Sequence, residues 1–374
     1  MHQRCSVVSQ ARPDFYLDLL LQFSYFQIVA LTFAAFVLSS ALTPLFRVLA
    51  IRLNIIDQPN QSHKTHRVGV PYFGGLSIMT TCVFGILIGY RLLNPETIEM
   101  QRLMLFILPS IFLGLVGLMD DIRNLNAFPR FVMQVISSLF VACIFSINDL
   151  FGTPSTSETL NILISAFWIV GITNSFNFID NLDGGAGGIA AFSSLALVIS
   201  ALLSGQFLVA GVGALILGGT LGFLIWNLYP ARIYLGDAGA LFIGCVLAVL
   251  LIHLQPTTPN LRSAWLVPIF IMAVPIMDTS VAVISRITRH VSPFQGGRDH
   301  LSHRFMRVGL NRRQSALSLW LLSLFFSCLA VALQFANQNQ ANFLSAFGLF
   351  AWAVIAILFF RVPHSDISNE VSPH

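Results

Sequence analysis

Three short stretches carry carboxylates and amides in a chain that has few charges. Asp120 and Asp121 are adjacent in "GLMDDIRNL"; Asn174, Asn177, Asp180 and Asp183 recur every three residues in "TNSFNFIDNLDGG"; Asp237 stands alone in "YLGDAGAL". The three-residue spacing sets side chains along one helical face or on one side of a tight turn. Sparse oxygen donors of this kind suit Mg2+, which takes one or two carboxylates and completes its shell with substrate phosphates. They do not suit zinc, which wants Cys or His at short spacing. Two basic stretches accompany them. "DQPNQSHKTHRVGVPYFGG" holds His63, Lys64, His66 and Arg67, and "RHVSPFQGGRDHLSHRFMRVGLNRR" holds His300 and His303 among Arg298, Arg304 and Arg307. Arg and Lys clamp transferring phosphoryl oxygens while a metal neutralises developing charge. The chemistry that this set points to is Mg2+-assisted phosphoryl transfer.

Each piece also has a plainer explanation. An adjacent Asp pair at a helix end is what a solvated loop carries, and an Asn/Asp rhythm beside glycine is what a capping turn carries. A basic juxtamembrane loop attracts anionic headgroups. Asp278, inside an apolar run, reads as a buried hydrogen-bonded group rather than a ligand. His253, His290, His364 and His374 form no constellation. The case for a site rests on whether the elements bring these groups to one place.

Those elements are set by the solvent. The 374 residues are 56% hydrophobic and 10% charged, with a mean hydropathy of +0.78, whereas soluble domains carry about 25% charged residues. A bilayer needs about 20 apolar residues per helical span. The polar and Pro/Gly clusters divide the chain into eleven candidate helices, at approximately 25–47, 73–93, 102–119, 131–147, 160–176, 186–204, 207–226, 238–254, 264–285, 316–336 and 341–361. The expected fold class is all-α: a polytopic membrane bundle forming one domain over 25–361, with an outer N-terminal segment (1–24) and a polar tail (362–374). The first apolar run is too long for a signal-peptide core of roughly 7–15 residues. The five cysteines are scattered and include no Cys-x-x-Cys pair, which argues against a disulfide framework or zinc site. Small residues in "GVGALILGG" read as a helix-packing surface.

Orientation follows the basic residues. With the N-terminus outside, fifteen of the 20 Lys and Arg residues fall in cytoplasmic segments. Asp57, Asp120, Asp121, Asp180, Asp183, Asp237 and Asp299, from five loops, then share that face. A transporter would more naturally place ionisable residues through the depth of the bilayer, and only Asp278 is a fair candidate for that. A lipid scaffold with a degenerate site is the other rival.

In order and spacing, "GLMDDIRNL", "NSFNFIDNLDGG", "YLGDAGAL" and "SPFQGGRDHLSHRFMRVGL" resemble the polyprenyl-phosphate N-acetylhexosamine-1-phosphate transferases, over about Arg47 to Leu310. "DQPN…HKTH…P…GG" fits the first cytoplasmic loop of that family. The last loop looks like the bacterial undecaprenyl-phosphate GlcNAc-1-phosphate transferases, and less like phospho-MurNAc-pentapeptide transferase with its three consecutive histidines. The resemblance implies transfer of HexNAc-1-phosphate from a UDP-amino sugar to polyprenyl phosphate with release of UMP. It implies Mg2+ (Mn2+ as the alternative ion), an inner-membrane location with a cytoplasmic site, no nucleic-acid partner, and room for a homodimer. By motif, Asp237 matches the magnesium ligand, with Asn177 as a second. Asp120 and Asp121 match the acidic pair, one member of which deprotonates or orients the lipid phosphate. Asp180 and Asp183 match nucleotide-binding residues. His300 and His303, with Arg304, match the loop that meets sugar and diphosphate, and Lys64 is a candidate phosphate contact. Departures are Ser302 within His300-Leu301-Ser302-His303, Asn181 where Gly is common, and Ala240 where Ser often follows. They bear on which sugar is used.

Overall fold

In lipid a chain must satisfy its backbone internally, so long apolar runs become helices. The computed structural model describes residues 13–57, 69–93, 97–292, 297 and 299–362. In chain order these form α1 (Pro13–Arg52), β1 (Ile56–Asp57), β2 (Val70–Pro71), α2 (Gly74–Leu93), α3 (Thr97–Arg123), α4 (Ala127–Ile147), α5 (Glu158–Ile179), α6 (Gly185–Leu203), α7 (Phe207–Asn227), α8 (Gly236–His253), α9 (Leu261–Ile271), α10 (Ala273–Thr288), α11 (Leu301–Arg307), α12 (Arg312–Ala332) and α13 (Gln338–Phe360). Among the described residues ten helices are long and apolar enough to cross a bilayer, or eleven spans with the bent pair α9/α10 counted as one. The expected all-α polytopic bundle is thus the observed fold.

Two elements differ from those expected. Helix α1 is already present at Pro13, well before the expected start near residue 25. The ninth span is not one helix but two, bent by 73° around Met272. Pro275 has no amide to donate to the Ile271 carbonyl. The Ser193 hydroxyl donates to that carbonyl instead, at 3.0 Å, and the Trp352 indole donates to Ala273 at 3.0 Å. Neighbouring side chains therefore satisfy the backbone that the break exposes.

Helix α8 is the buried centre, packed by α2, α3 and α5, while α1 lies along α7 and α6 lies between α7 and α12. The small-residue surface of α7 meets α1: a Cβ at Gly218 would sit 2.1 Å from the Thr32 carbonyl, and the Ser39 hydroxyl bonds Gly219 O at 2.6 Å. Helix α13 is peripheral, with only Ala341 and Gly348 buried among its side chains. At the end of the bundle where α3, α5 and α7 finish and α4, α6 and α8 begin, the antiparallel β1–β2 pair docks on the α7–α8 connection through Tyr234 N to Pro71 O (2.9 Å) and Gly74 N to Tyr234 O (2.9 Å).

Candidate active site

The end of α3 meets the start of α8 because glycine permits it. A Cβ at Gly117 would lie 2.3 Å from the Asp237 carbonyl oxygen, so any side chain there would push the helices apart. One turn later Asp121 accepts the Asp237 amide at 2.8 Å and the Ala238 amide at 3.1 Å. These first-turn amides of α8 have no partner within the helix. Gly236 precedes them with φ +75, and a Cβ there would be 2.7 Å from an Asp121 oxygen. Glycine answers both demands.

With its backbone so held, Asp237 extends its carboxylate between α4 and α5. Asn177 Nδ2 donates to Oδ1 at 2.5 Å and Arg130 Nη1 to Oδ2 at 2.5 Å. The same Arg130 nitrogen donates to Asp120 Oδ2, while Asp120 Oδ1 accepts the Leu125 amide at 2.6 Å and so ties down the α3–α4 turn. Carboxylate oxygens from two helices therefore gather on one cationic nitrogen. Among the described residues no three His, Cys, Asp or Glu side chains form a metal cage. Two carboxylates on one point of positive charge, with the Asn177 side chain beside them, nevertheless fit Mg2+, which takes few protein ligands where phosphates supply the rest.

Asp180 links this cluster to a cavity of about 300 Å3. It caps α5, and the Gly236 amide donates to its carboxylate. Its pKa is raised to about 7, first by burial and then by the negative charges of Asp121 and Asp183, the Gly236 hydrogen bond offsetting part of this. Asp57, Tyr72, Asp183, Tyr234 and His303 also line the cavity. Asp183 accepts the Ala231 amide at 3.0 Å; Asn227 bridges Gly184 N (3.0 Å) and Ile233 O (2.9 Å), which joins the α5–α6 turn to the α7–α8 connection. The Tyr72 and Tyr234 rings stand 5.9 Å apart. Burial, then the nearby Asp183 and Asp57, push the Tyr234 hydroxyl up to about 12, so it is a hydrogen-bond donor at neutral pH.

The loop between α10 and α12 closes the far side. His303 and Met306 of α11 line the cavity, and the Ser302 hydroxyl bonds Asn181. His300 lies deeper, its Nδ1 2.8 Å from Asp278. Asp299 is held by Arg286 (3.1 Å) and Arg289 (2.6 Å). Burial alone would raise its pKa, but these two guanidiniums outweigh it and hold the carboxyl below its ordinary value.

Against this geometry stands the relationship to known proteins. Residues 103–255 match the model of glycosyl transferase family 4. The chain is 30% identical over 336 residues, 88% of each chain, to a probable undecaprenyl-phosphate N-acetylglucosaminyl 1-phosphate transferase of Bacillus subtilis. It is 27% identical over 338 residues to the undecaprenyl-phosphate alpha-N-acetylglucosaminyl 1-phosphate transferase of Yersinia pestis, 85% of this chain and 89% of that one. The chain belongs to the polyprenyl-phosphate N-acetylhexosamine-1-phosphate transferase family. A phospho-N-acetylmuramoyl-pentapeptide-transferase of Geobacillus is 29% identical over 192 residues, 46% of this chain and 57% of that one. The protein is therefore an enzyme, a glycosyl-1-phosphate transferase, spanning the membrane many times.

In this transferase the structure brings together Asp120, Asp121, Asn177, Asp180 and Asp237, with Asp183 and His303 around the adjoining cavity. Lys64 lies outside the described residues. Arg304 is turned away from the cavity: Nε donates to Asp299 O (2.8 Å) and Nη1 to Phe359 O (2.6 Å) and Val362 O (3.2 Å), which caps the end of α13. Its guanidinium anchors the loop, because the last carbonyls of a helix attract a cation. Asp278 is buried and doubly hydrogen-bonded, as its place in an apolar run suggested. The sequence reading missed Arg130, Tyr72, Tyr234 and Asn227. Arg130 had a readable signal: Gln134 lies four residues on, and that face of α4 meets α5, where Asn174 Nδ2 bonds Gln134 Oε1 at 2.5 Å.

Proposed function

We propose that this transferase moves N-acetylhexosamine-1-phosphate, GlcNAc-1-phosphate first, from a UDP-sugar to undecaprenyl phosphate and releases UMP. It would do so at the cytoplasmic side of the inner membrane, beginning a lipid-linked cell-envelope glycan. The observation that carries this reading is that the Gly236 amide ties Asp180, which lines the polar cavity, to the head of α8, where Asp237 meets Asn177, Arg130 and Asp120. A soluble donor in the cavity and a lipid-borne phosphate reaching the charged cluster beside it would then meet at one centre. The relatives named for undecaprenyl-phosphate GlcNAc-1-phosphate transfer support the choice of sugar and lipid.

In this reading the donor's nucleoside lies in the cavity, where Asp180 and Asp183 accept its hydrogen bonds and the two tyrosines wall it. The lipid phosphate approaches Asp120 and Arg130. An oxygen of that phosphate attacks the sugar-bearing β-phosphorus as the bond to UMP breaks. Asp120 is the better placed of the acidic pair to orient the attacking group, since it shares the Arg130 cation with Asp237, whereas both Asp121 oxygens are spent on the α8 backbone amides. Asp237, Asp120 and Asn177 would hold Mg2+, which when bound neutralises the diphosphate. Arg130 would keep the acceptor phosphate and the carboxylates from repelling one another.

The test is transfer by purified protein to undecaprenyl phosphate from a panel of radiolabelled UDP-sugars, with and without EDTA. Labelled lipid from UDP-GlcNAc, abolished by EDTA, is expected. Labelling only from UDP-MurNAc-pentapeptide or another amino sugar would move the donor assignment, and no labelling from any of them would remove the function.

A further inference from the structure

We infer that Asp278 is a positioning residue for the sugar-nucleotide donor: it fixes His300, and through His300 the first turn of α11, which carries His303 into the cavity wall. The inference rests on the donor reading above and names what holds that wall in place. Asp278 has 0% exposure on α10, the inner half of the broken span, and takes no part in lining the cavity. A carboxylate there is costly unless it is fully hydrogen-bonded. Its Oδ1 accepts the Leu301 amide at 2.7 Å, the first amide of α11, and its Oδ2 lies 2.8 Å from His300 Nδ1.

The neighbours of His300 choose its tautomer. A carboxylate only accepts, so Nδ1 carries a proton toward Asp278. Nε2 lies 3.4 Å from Arg286 Nη2, and a guanidinium only donates, so Nε2 presents its lone pair. Both ring nitrogens are thereby committed. The ring packs on Phe178 at 5.8 Å, and Arg286 sits over the same phenyl ring at 5.8 Å while Asp299 holds it. Phe178 follows Asn177 and lies two residues before Asp180. The Asp278–His300 pair therefore joins α10, α11 and the end of α5 at one point. His303 follows one turn later in α11 and faces the cavity.

An amide at position 278 would keep the Leu301 bond. Its NH2 would then oppose the His300 N–H, or the ring would change tautomer and oppose Arg286. Either way α11 would lose its seat without any loss of volume.

The experiment uses the full chain with undecaprenyl phosphate and the UDP-sugar that the wild type turns over. Asp278→Asn should raise the KM for UDP-sugar about tenfold or more while leaving the KM for the lipid within about twofold, a split that simple loss of folded protein would not produce. His300→Asn can present its Nδ2–H where Nδ1–H stood. It should keep about a tenth or more of wild-type kcat/KM, and His300→Ala should lose about a hundredfold or more. An unchanged donor KM in Asp278→Asn would overturn the inference. So would a His300→Asn enzyme as inactive as His300→Ala, because the imidazole would then have a chemical step of its own. If Asp278→Asn does not accumulate folded, the His300 pair decides. A wild type that turns over no UDP-sugar sinks the transferase reading itself, whereas an active wild type with indifferent variants sinks only Asp278.

Discussion

Asp121 accepts both the Asp237 and the Ala238 backbone amides, so one residue of the acidic pair is a cap on the helix that carries the other half of the site. Asp120 does something different, because its carboxylate faces Arg130 and, across it, Asp237. The two aspartates should separate on mutation. Asp121→Ala is expected to lower the melting temperature in detergent as well as activity, since a lost cap costs about 1 kcal/mol. Asp120→Asn should leave the melting temperature close to wild type and abolish most transfer. Equal melting temperatures for wild type and Asp121→Ala would remove the capping role.

Arg130 places one cation where two carboxylates from different helices meet, at the position where Mg2+ is proposed to bind. Removing it leaves Asp120 and Asp237 to repel each other. Arg130→Gln should therefore melt earlier in EDTA and recover more than wild type on adding Mg2+, with half-saturation at a several-fold lower Mg2+ concentration, on the order of one pK-equivalent or less. Turnover should still fall, because the acceptor phosphate loses a cation. A variant with unaltered metal dependence of both melting and rate would separate Arg130 from the metal.

Much of this was legible in the sequence for a physical reason. Carboxylates such as Asp120, Asp121 and Asp237 stand out because an apolar chain tolerates so few, and the spans follow from apolar length. The break at Met272 was less visible, although Pro268 and Pro275 flank it, because hydropathy is continuous across it. Arg130 read as one more positive-inside charge. Arg304 shares a motif with His300 and His303, but its partners are carbonyls at Phe359 and Val362, and no local pattern brings those distant residues to it.

Asp180 should trade stability for binding. Its folded pKa of about 7 lies above the ordinary value. For a carboxyl raised in this way the unfolded state releases its proton first, so folding is disfavoured progressively as pH rises from about 4 to 7 and the cost is complete above that window. Asp180→Asn should raise the melting temperature of the ligand-free protein at pH 8 and have little effect near pH 4, where both forms are neutral. The same variant should lose about tenfold or more in catalytic efficiency for the UDP-sugar, the scale of one lost charged hydrogen bond. No stabilisation at pH 8 would count against an ionised, buried Asp180.

The charge bias predicts that the α10–α12 loop faces the cytoplasm. Ser302 is a poor site for testing this by labelling, being 1% exposed and bonded to Asn181, whereas Val308 is 57% exposed. In a Cys-free chain, Val308→Cys should resist an impermeant maleimide in intact cells and react after permeabilisation. Ready labelling in intact cells would reverse the orientation and put the site on the other face.

Asp237→Asn separates a metal ligand from a turn former. The backbone of residue 237 is held through its amide by Asp121 and through the Gly236 conformation, neither of which needs the Asp237 carboxylate. Asn could accept from Asn177 or Arg130 through its one carbonyl oxygen, so the α8 start should fold normally. What the change removes is a negative charge that a hard dication requires. The variant should match wild type in melting temperature in EDTA, or exceed it, because a carboxylate packed against Asp120 and Asp121 is gone. It should also lose nearly all transfer at every Mg2+ concentration, and Mg2+ should no longer raise its melting temperature. Initial rate and melting temperature against Mg2+ concentration, for both proteins, measure all three. Near-normal turnover with an unaltered metal dependence would show that the carboxylate at the head of α8 takes no part in the reaction, and the convergence of Asp120, Asn177 and Arg130 on it would then be architecture alone.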